Sequence, residues 1–122
     1  MANEIEATFR LNYASTVGVG LKDLIQPDTV QYTQSTPGVF SITQSVGTGT
    51  TTLNIADDAG TPGVLFIQNL DSENSISFGS SLLEFKVSAG KFAFMEVSSS
   101  AAVIQVAAST GTVRVFQKLF EA

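Results

Sequence analysis

The side chains in this sequence that could carry chemistry are carboxylates, hydroxyls and amides. There is no His and no Cys. That removes the usual general base, the usual ligand for zinc, copper or non-haem iron, every disulfide and every thiol nucleophile. A Ser-His-Asp triad goes with them. The acids worth testing fall in three places. Asp57-Asp58 and the run Asp71-Ser72-Glu73-Asn74 offer oxygen ligands of the kind Ca²⁺ gathers six to eight of. Neither has the spacing of a calcium loop, and Asp, Asn and Ser are ordinary turn formers that bond their own backbone. Glu84 and Glu96 sit in adjacent expected strands, where two carboxylates can reach the separation of about 5–10 Å used in glycoside hydrolysis. Each alternates with apolar neighbours, so each is expected to point to solvent, without the enclosed setting that acid–base catalysis needs. The tract Gly47-Thr48-Gly49-Thr50 has no P-loop Lys after it and no helix behind it. No catalytic, cofactor-binding or metal-ligating residue is expected, and the chain is not expected to be an enzyme.

Charge narrows the partners. Six Lys+Arg stand against eleven Asp+Glu, for a net charge of −5, whereas nucleic acid is held by clustered positive charge. The basic residues Arg10, Lys22, Lys86, Lys91, Arg114 and Lys118 are dispersed. No stretch approaches the roughly 20 apolar residues of a membrane span. The opening MANEIEATFR carries early acids in place of the apolar run of a signal peptide. Neither nucleic acid nor membrane is an expected partner, and assembly in a cytoplasm is expected.

The elements that must position these residues are strands. At 122 residues the expectation is one domain, residues 1–122. Ser, Thr and Val number 14, 13 and 12, a composition rich in β-branched residues that suit a pleated surface. Ile5, Ala7, Phe9, Leu11 and Tyr13 alternate with polar residues, which predicts a half-buried strand over 4–13. Leu21, Leu24 and Ile25 have the spacing of a single helical turn before Pro27. Val30 and Tyr32 mark a short strand, and Phe40, Ile42 and Val46 another. Gly47 to Thr52 reads as a hairpin tip, with Leu53 and Ile55 returning from it. Val64 to Ile67 is a continuous apolar run, expected to be buried on both sides. After the polar turn Asn69 to Asn74, Ile76 and Phe78 begin a return strand. Leu83, Phe85 and Val87 alternate next, and Ala89-Gly90 is a tight turn. Strands at 92–97, Val103 to Ala107 and Thr112 to Phe120 complete the chain. About nine or ten short strands, with turns every eight to twelve residues, predict an all-β fold: an antiparallel β-sandwich, jelly-roll-like.

One pattern exceeds the needs of a single core. The last strand carries Val113, Val115 and Leu119 on one phase and Phe116 and Phe120 on the other. The strand at 92–97 carries Phe92 and Phe94 opposite Ala93, Met95 and Val97. A strand with two apolar faces needs two covers. The partner sheet is one, and a second chain is the expected other, with residues 14–36 or a loop wrapped over that face as the rival reading. The expected interface residues are Phe92, Phe94, Phe116, Leu119 and Phe120.

The runs GVLFIQNLDSENSISFG, LLEFKVSAGKFAFMEV and VIQVAASTGTVRVFQKLFEA resemble small β-sandwich virion proteins of tailed bacteriophages. The matching features are the apolar strand entering an Asn-Leu-Asp turn (Phe66 to Asp71), the glycine-turn strand carrying Phe (Ser88 to Phe94), and the last strand (Val113 to Phe120). The similarity spans about residues 63–122. It implies a non-enzymatic structural component of the virion, foremost a head decoration (cement) protein. A tail or fibre-associated subunit is the alternative. It also implies a homo-oligomer, commonly a trimer, a major capsid or tail protein as second partner, and no cofactor. A carbohydrate-binding β-sandwich module is the rival class, and Tyr13 and Tyr32 are the only tyrosines available to it.

Overall fold

The computed structural model of the chain describes residues 4–9, 12–13, 22–23, 29–34, 38–54, 62–80, 82–97 and 104–121. Every strand pairing among them is antiparallel. The chain forms two compact units, Met1–Ser35 and Thr36–Ala122.

The first unit holds two small ladders. Strand β1 (Ile5–Thr8) pairs with β4 (Thr29–Tyr32), and β2 (Asn12–Tyr13) with β3 (Lys22–Asp23). Across the first ladder, Gln31 Nε2 donates to Glu6 Oε2 at 3.0 Å, and the Thr8 and Thr29 hydroxyls lie 3.2 Å apart. Glu4 Oε2 accepts from the Gln34 backbone N–H at 3.1 Å. The single strand expected over 4–13 is therefore divided between two ladders, because β1 and β2 have different partners. Leu21, Leu24 and Ile25 lie outside the described residues, but Lys22 and Asp23 between them form β3, paired with β2, where a helical turn was expected.

The second unit supplies the sandwich. Its strands are β5 (Val39–Val46), β6 (Thr51–Thr52), β7 (Pro62–Asn69), β8 (Ile76–Gly79), β9 (Phe85–Val87), β10 (Phe92–Glu96), β11 (Gln105–Ala108) and β12 (Val113–Glu121). They form two four-stranded sheets, ordered β10-β7-β12-β5 and β6-β11-β8-β9. Every connection except β8–β9 passes from one sheet to the other, which is the strand order of a jelly roll. Gly47 to Thr52 is thus not a hairpin tip. β5 and β6 lie in different sheets, and the segment carries the chain between them. The same holds at Asn69 to Asn74, where β7 and β8 part company. Leu53 belongs to no strand; it is buried, and its N–H donates to the Ile104 carbonyl at 2.8 Å. Ile55 lies outside the described residues.

Alternation decides what fills the space between the sheets. In β12 the residues Val113, Val115, Gln117 and Leu119 are all buried, while Arg114 is exposed and Phe116, Lys118 and Phe120 are partly exposed. Register places Met95, Leu65, Leu119 and Phe40 in one inward row across the sheet, and Ala93, Ile67, Gln117 and Ile42 in the next. Ile76, Phe78, Val87, Val106 and Ala108 answer from the other sheet. Full burial of each large side chain here contributes about 1.5–3 kcal/mol.

Two inward amides, Asn69 and Gln44, tie the sheets together, and a third, Gln117, bonds one of them from within its own sheet. Asn69 Nδ2, on β7, donates to the Val87 carbonyl on β9 at 3.1 Å and to the Asn74 carbonyl at 2.8 Å. Gln44 Nε2, on β5, donates to the Thr52 carbonyl on β6 at 3.0 Å. Gln117 Nε2 donates to Gln44 Oε1 at 3.0 Å, and the buried Gln117 Oε1 has no partner. Glycine closes two turns: Gly90, with φ 72°, sits in the Ser88–Lys91 turn at the position where a type II turn needs positive φ, and Gly111 has φ 62°.

Candidate interface

The outer face of the β10-β7-β12-β5 sheet follows from the same register. One row across it is Phe92, Gln68, Phe116 and Thr43; the next is Phe94, Phe66, Lys118 and Ser41; the third is Glu96, Val64, Phe120 and Val39. Five of the nine phenylalanines lie on this one surface. Phe92, on the edge strand β10, is 58% exposed, and Phe66, Phe94, Phe116 and Phe120 are partly exposed. Phe66 is the hub. Its ring centroid is 5.5 Å from that of Phe92, tilted at 31°, and 6.3 Å from that of Phe116, edge-on at 65°. The second is the edge-to-face arrangement that aromatic quadrupoles favour, and both centroid separations lie in the range of interacting rings. Val39 extends the apolar surface along β5 at 53% exposure.

The other sheet differs. Its outward residues are Thr52, Gln105 and Gly79 in one row and Ala107, Ser77 and Lys86 in another. Those residues are small or polar, and Gly79 among them is buried against the backbone of Leu82. The aromatic surplus lies on the β10-β7-β12-β5 sheet; on the other sheet, among the described residues, Phe85 at the start of edge strand β9 is the one exposed aromatic.

Of the five expected interface residues, the structure brings four together on this face: Phe92, Phe94, Phe116 and Phe120. Leu119 is not among them. It is 0% exposed and sits inward between Leu65 and Phe40, because its place in β12 gives it the phase of Val113 and Val115. Phe66 was not an expected interface residue, although its phase alternates with the inward Leu65 and Ile67. Val64 shares the outer face but is buried.

Asp71 takes a place that a turn requires. Asp71 Oδ2 accepts from the backbone N–H groups of Glu73 at 3.0 Å and Asn74 at 2.6 Å, and Asn69 Oδ1 accepts from the Asp71 N–H at 2.8 Å. The Asp71 carboxylate is thus engaged in shaping the turn. Glu84 and Glu96 do not face one another. Glu84 precedes β9 in one sheet, and Glu96 ends β10 in the other. Asp57 and Asp58 lie outside the described residues. Among the described residues, no three acidic side chains gather into a group able to hold a metal ion.

No protein-family model matches the sequence, and no curated protein does. Among solved structures, the chain is similar to one from a study reporting that Bacillus endospore appendages form a family of disulfide-linked pili. Identity is 14% and the TM-score 0.35, over 71% of this chain and 88% of that one.

Proposed function

We propose that this chain is a non-enzymatic structural subunit of a tailed-phage virion, in the first place a head decoration protein. It acts by burying the phenylalanine face of the β10-β7-β12-β5 sheet against a like subunit, with a major capsid or tail protein as its further partner. The observation that carries the reading is the one-sided placement of Phe66, Phe92, Phe94, Phe116 and Phe120. A contiguous apolar patch of this kind marks an interaction surface more often than it marks ordinary exterior. Buried phenylalanines dominate interface energetics, and a specific contact removes about 1,200 Å² or more from water in total. The sequence resemblance to virion β-sandwich proteins supports the choice of assembly.

Light scattering on the purified chain, paired with a glycan array, tests this. A stable oligomer that the Phe92→Ser, Phe116→Ser double variant dissociates, with no glycan bound, is the expected result. A monomer at high concentration that binds glycans would replace this reading with the lectin class.

A further inference from the structure

The four edges of the sandwich are unequal. β6 is two residues long; β9 is three, with Lys86 at its centre; β10 is five and ends in Glu96. Short length and charge are the usual means by which proteins keep strand edges from pairing with other chains. β5 has neither. It runs for eight residues, VFSITQSV, with no charge, Pro or Gly. Its register with β12 continues from Val46↔Val113 to Val39↔Phe120 without a bulge. Among the described residues no strand pairs with its other side. Half of its backbone N–H and C=O groups therefore face away from β12 in a row ready to accept a strand.

We infer that β5 is a self-pairing edge: two copies of this chain join β5 to β5 antiparallel about a two-fold axis, making one continuous sheet of eight strands. Three features favour a second copy as the occupant. Each chain carries net charge −5, yet β5 brings no charge to the axis, so like chains meet there without local repulsion. Antiparallel partners directly opposite each other share a face. With Thr43 on the axis, Thr43 therefore meets its own copy and Ser41 meets Ser45 of the other chain; with Ile42 on the axis, Ser41 meets Thr43. Either register sets hydroxyl against hydroxyl on the outer face, a favourable cross-strand pairing. The contact is also isologous and closes at two chains. It does not rest on the virion reading or on the phenylalanine face. It would, however, place both copies' phenylalanine faces on the same side of one sheet. A single edge is a small contact that is weak alone and gains from avidity inside an assembly.

Backbone hydrogen exchange on the full chain, from about 10 µM to about 1 mM, tests the inference across the range where so small a contact forms. Expected is protection of the outward-facing β5 amides that grows with concentration. The Ser41→Lys, Thr43→Lys variant puts lysines opposite one another in either register. Both sites are exposed, and an unchanged unfolding midpoint shows that the variant still folds. It should associate through β5 at least about tenfold more weakly; should it not fold, Thr43→Lys alone serves. The Phe92→Ser, Phe116→Ser variant keeps the β5 protection, which separates this contact from the face. Outward amides that stay unprotected at the highest concentration overturn the inference. Protection independent of concentration also does, because it means a segment of the same chain covers the edge. So does undiminished association in the folded lysine variant.

Discussion

Replacing Asn69 with Ala perturbs the link between the two sheets at one buried point. The side chain is 0% exposed. It donates at 2.8 and 3.1 Å to the carbonyls of Asn74 and Val87, and accepts at 2.8 Å from the Asp71 N–H. Three bonds at about 0.5–1.5 kcal/mol net each lose about 1.5–4.5 kcal/mol. The Asn74 and Asp71 groups are only partly buried and can turn to water, which keeps their loss near the low end. The Val87 bond is buried, and an orphaned acceptor there adds about 1–3 kcal/mol. The expected cost is about 3–4 kcal/mol, a large share of a stability of about 5–15 kcal/mol. Gln117 is equally buried but should behave differently. Gln117→Leu ends one bond, to Gln44 Oε1, which keeps the Asn54 N–H at 3.0 Å. It also removes the one buried side-chain oxygen, among the described residues, that has no partner. Its effect should fall within about 1 kcal/mol of zero. Urea unfolding measures both. The Asn69→Ala midpoint should drop by at least about 1 M with the slope unchanged, and that of Gln117→Leu should stay close to wild type. Equal shifts, or a larger loss at Gln117, would refute the assignment of Asn69 as an inter-sheet tie.

Other outcomes follow from the same packing. Leu65→Ala, in the middle of the inward row, should cost about 2–5 kcal/mol by thermal unfolding. Phe92→Ser should cost less than about 1.5 kcal/mol, mainly the ring contact with Phe66, since its side chain is 58% exposed. Gly79→Ala would set its Cβ 1.8 Å from the Leu82 carbonyl oxygen, so backbone must move, and a loss of about 2 kcal/mol or more is expected in denaturant titration. At Gly47 a Cβ meets nothing within 4 Å, and Gly47→Ala should stay within about 0.5 kcal/mol of wild type in the same titration.

What could be read from sequence was the phase of each strand. Alternation in 113–120 separated Val113, Val115 and Leu119 from Phe116 and Phe120, and the structure keeps that separation. Naming Leu119 an interface residue went against its own phase. The same rule also reaches Gln117 and Asn69: each shares parity with inward neighbours, and polarity alone concealed them. Phe66 was hidden by the opposite effect, because an unbroken apolar run around it masked its outward phase. Pairing was not legible. A short polar segment such as Gly47 to Thr50 has the same composition whether it turns a hairpin or crosses between sheets. Periodicity reports a residue's face and not its strand's neighbour. The division of 4–13 between β1 and β2 was hidden for that reason, since the alternation runs through both.

Hydroxyl-radical footprinting of the phenylalanines, at concentrations where the chain is dispersed and where it has associated, measures directly which surface is lost to water. Modification of Phe92, Phe94, Phe116 and Phe120 should fall on association. Phe85, 53% exposed on the edge strand of the opposite sheet, should react as before. Unchanged reactivity across the four, or protection confined to Phe85, would contradict the claim that the aromatic side of this jelly roll is its adhesive surface.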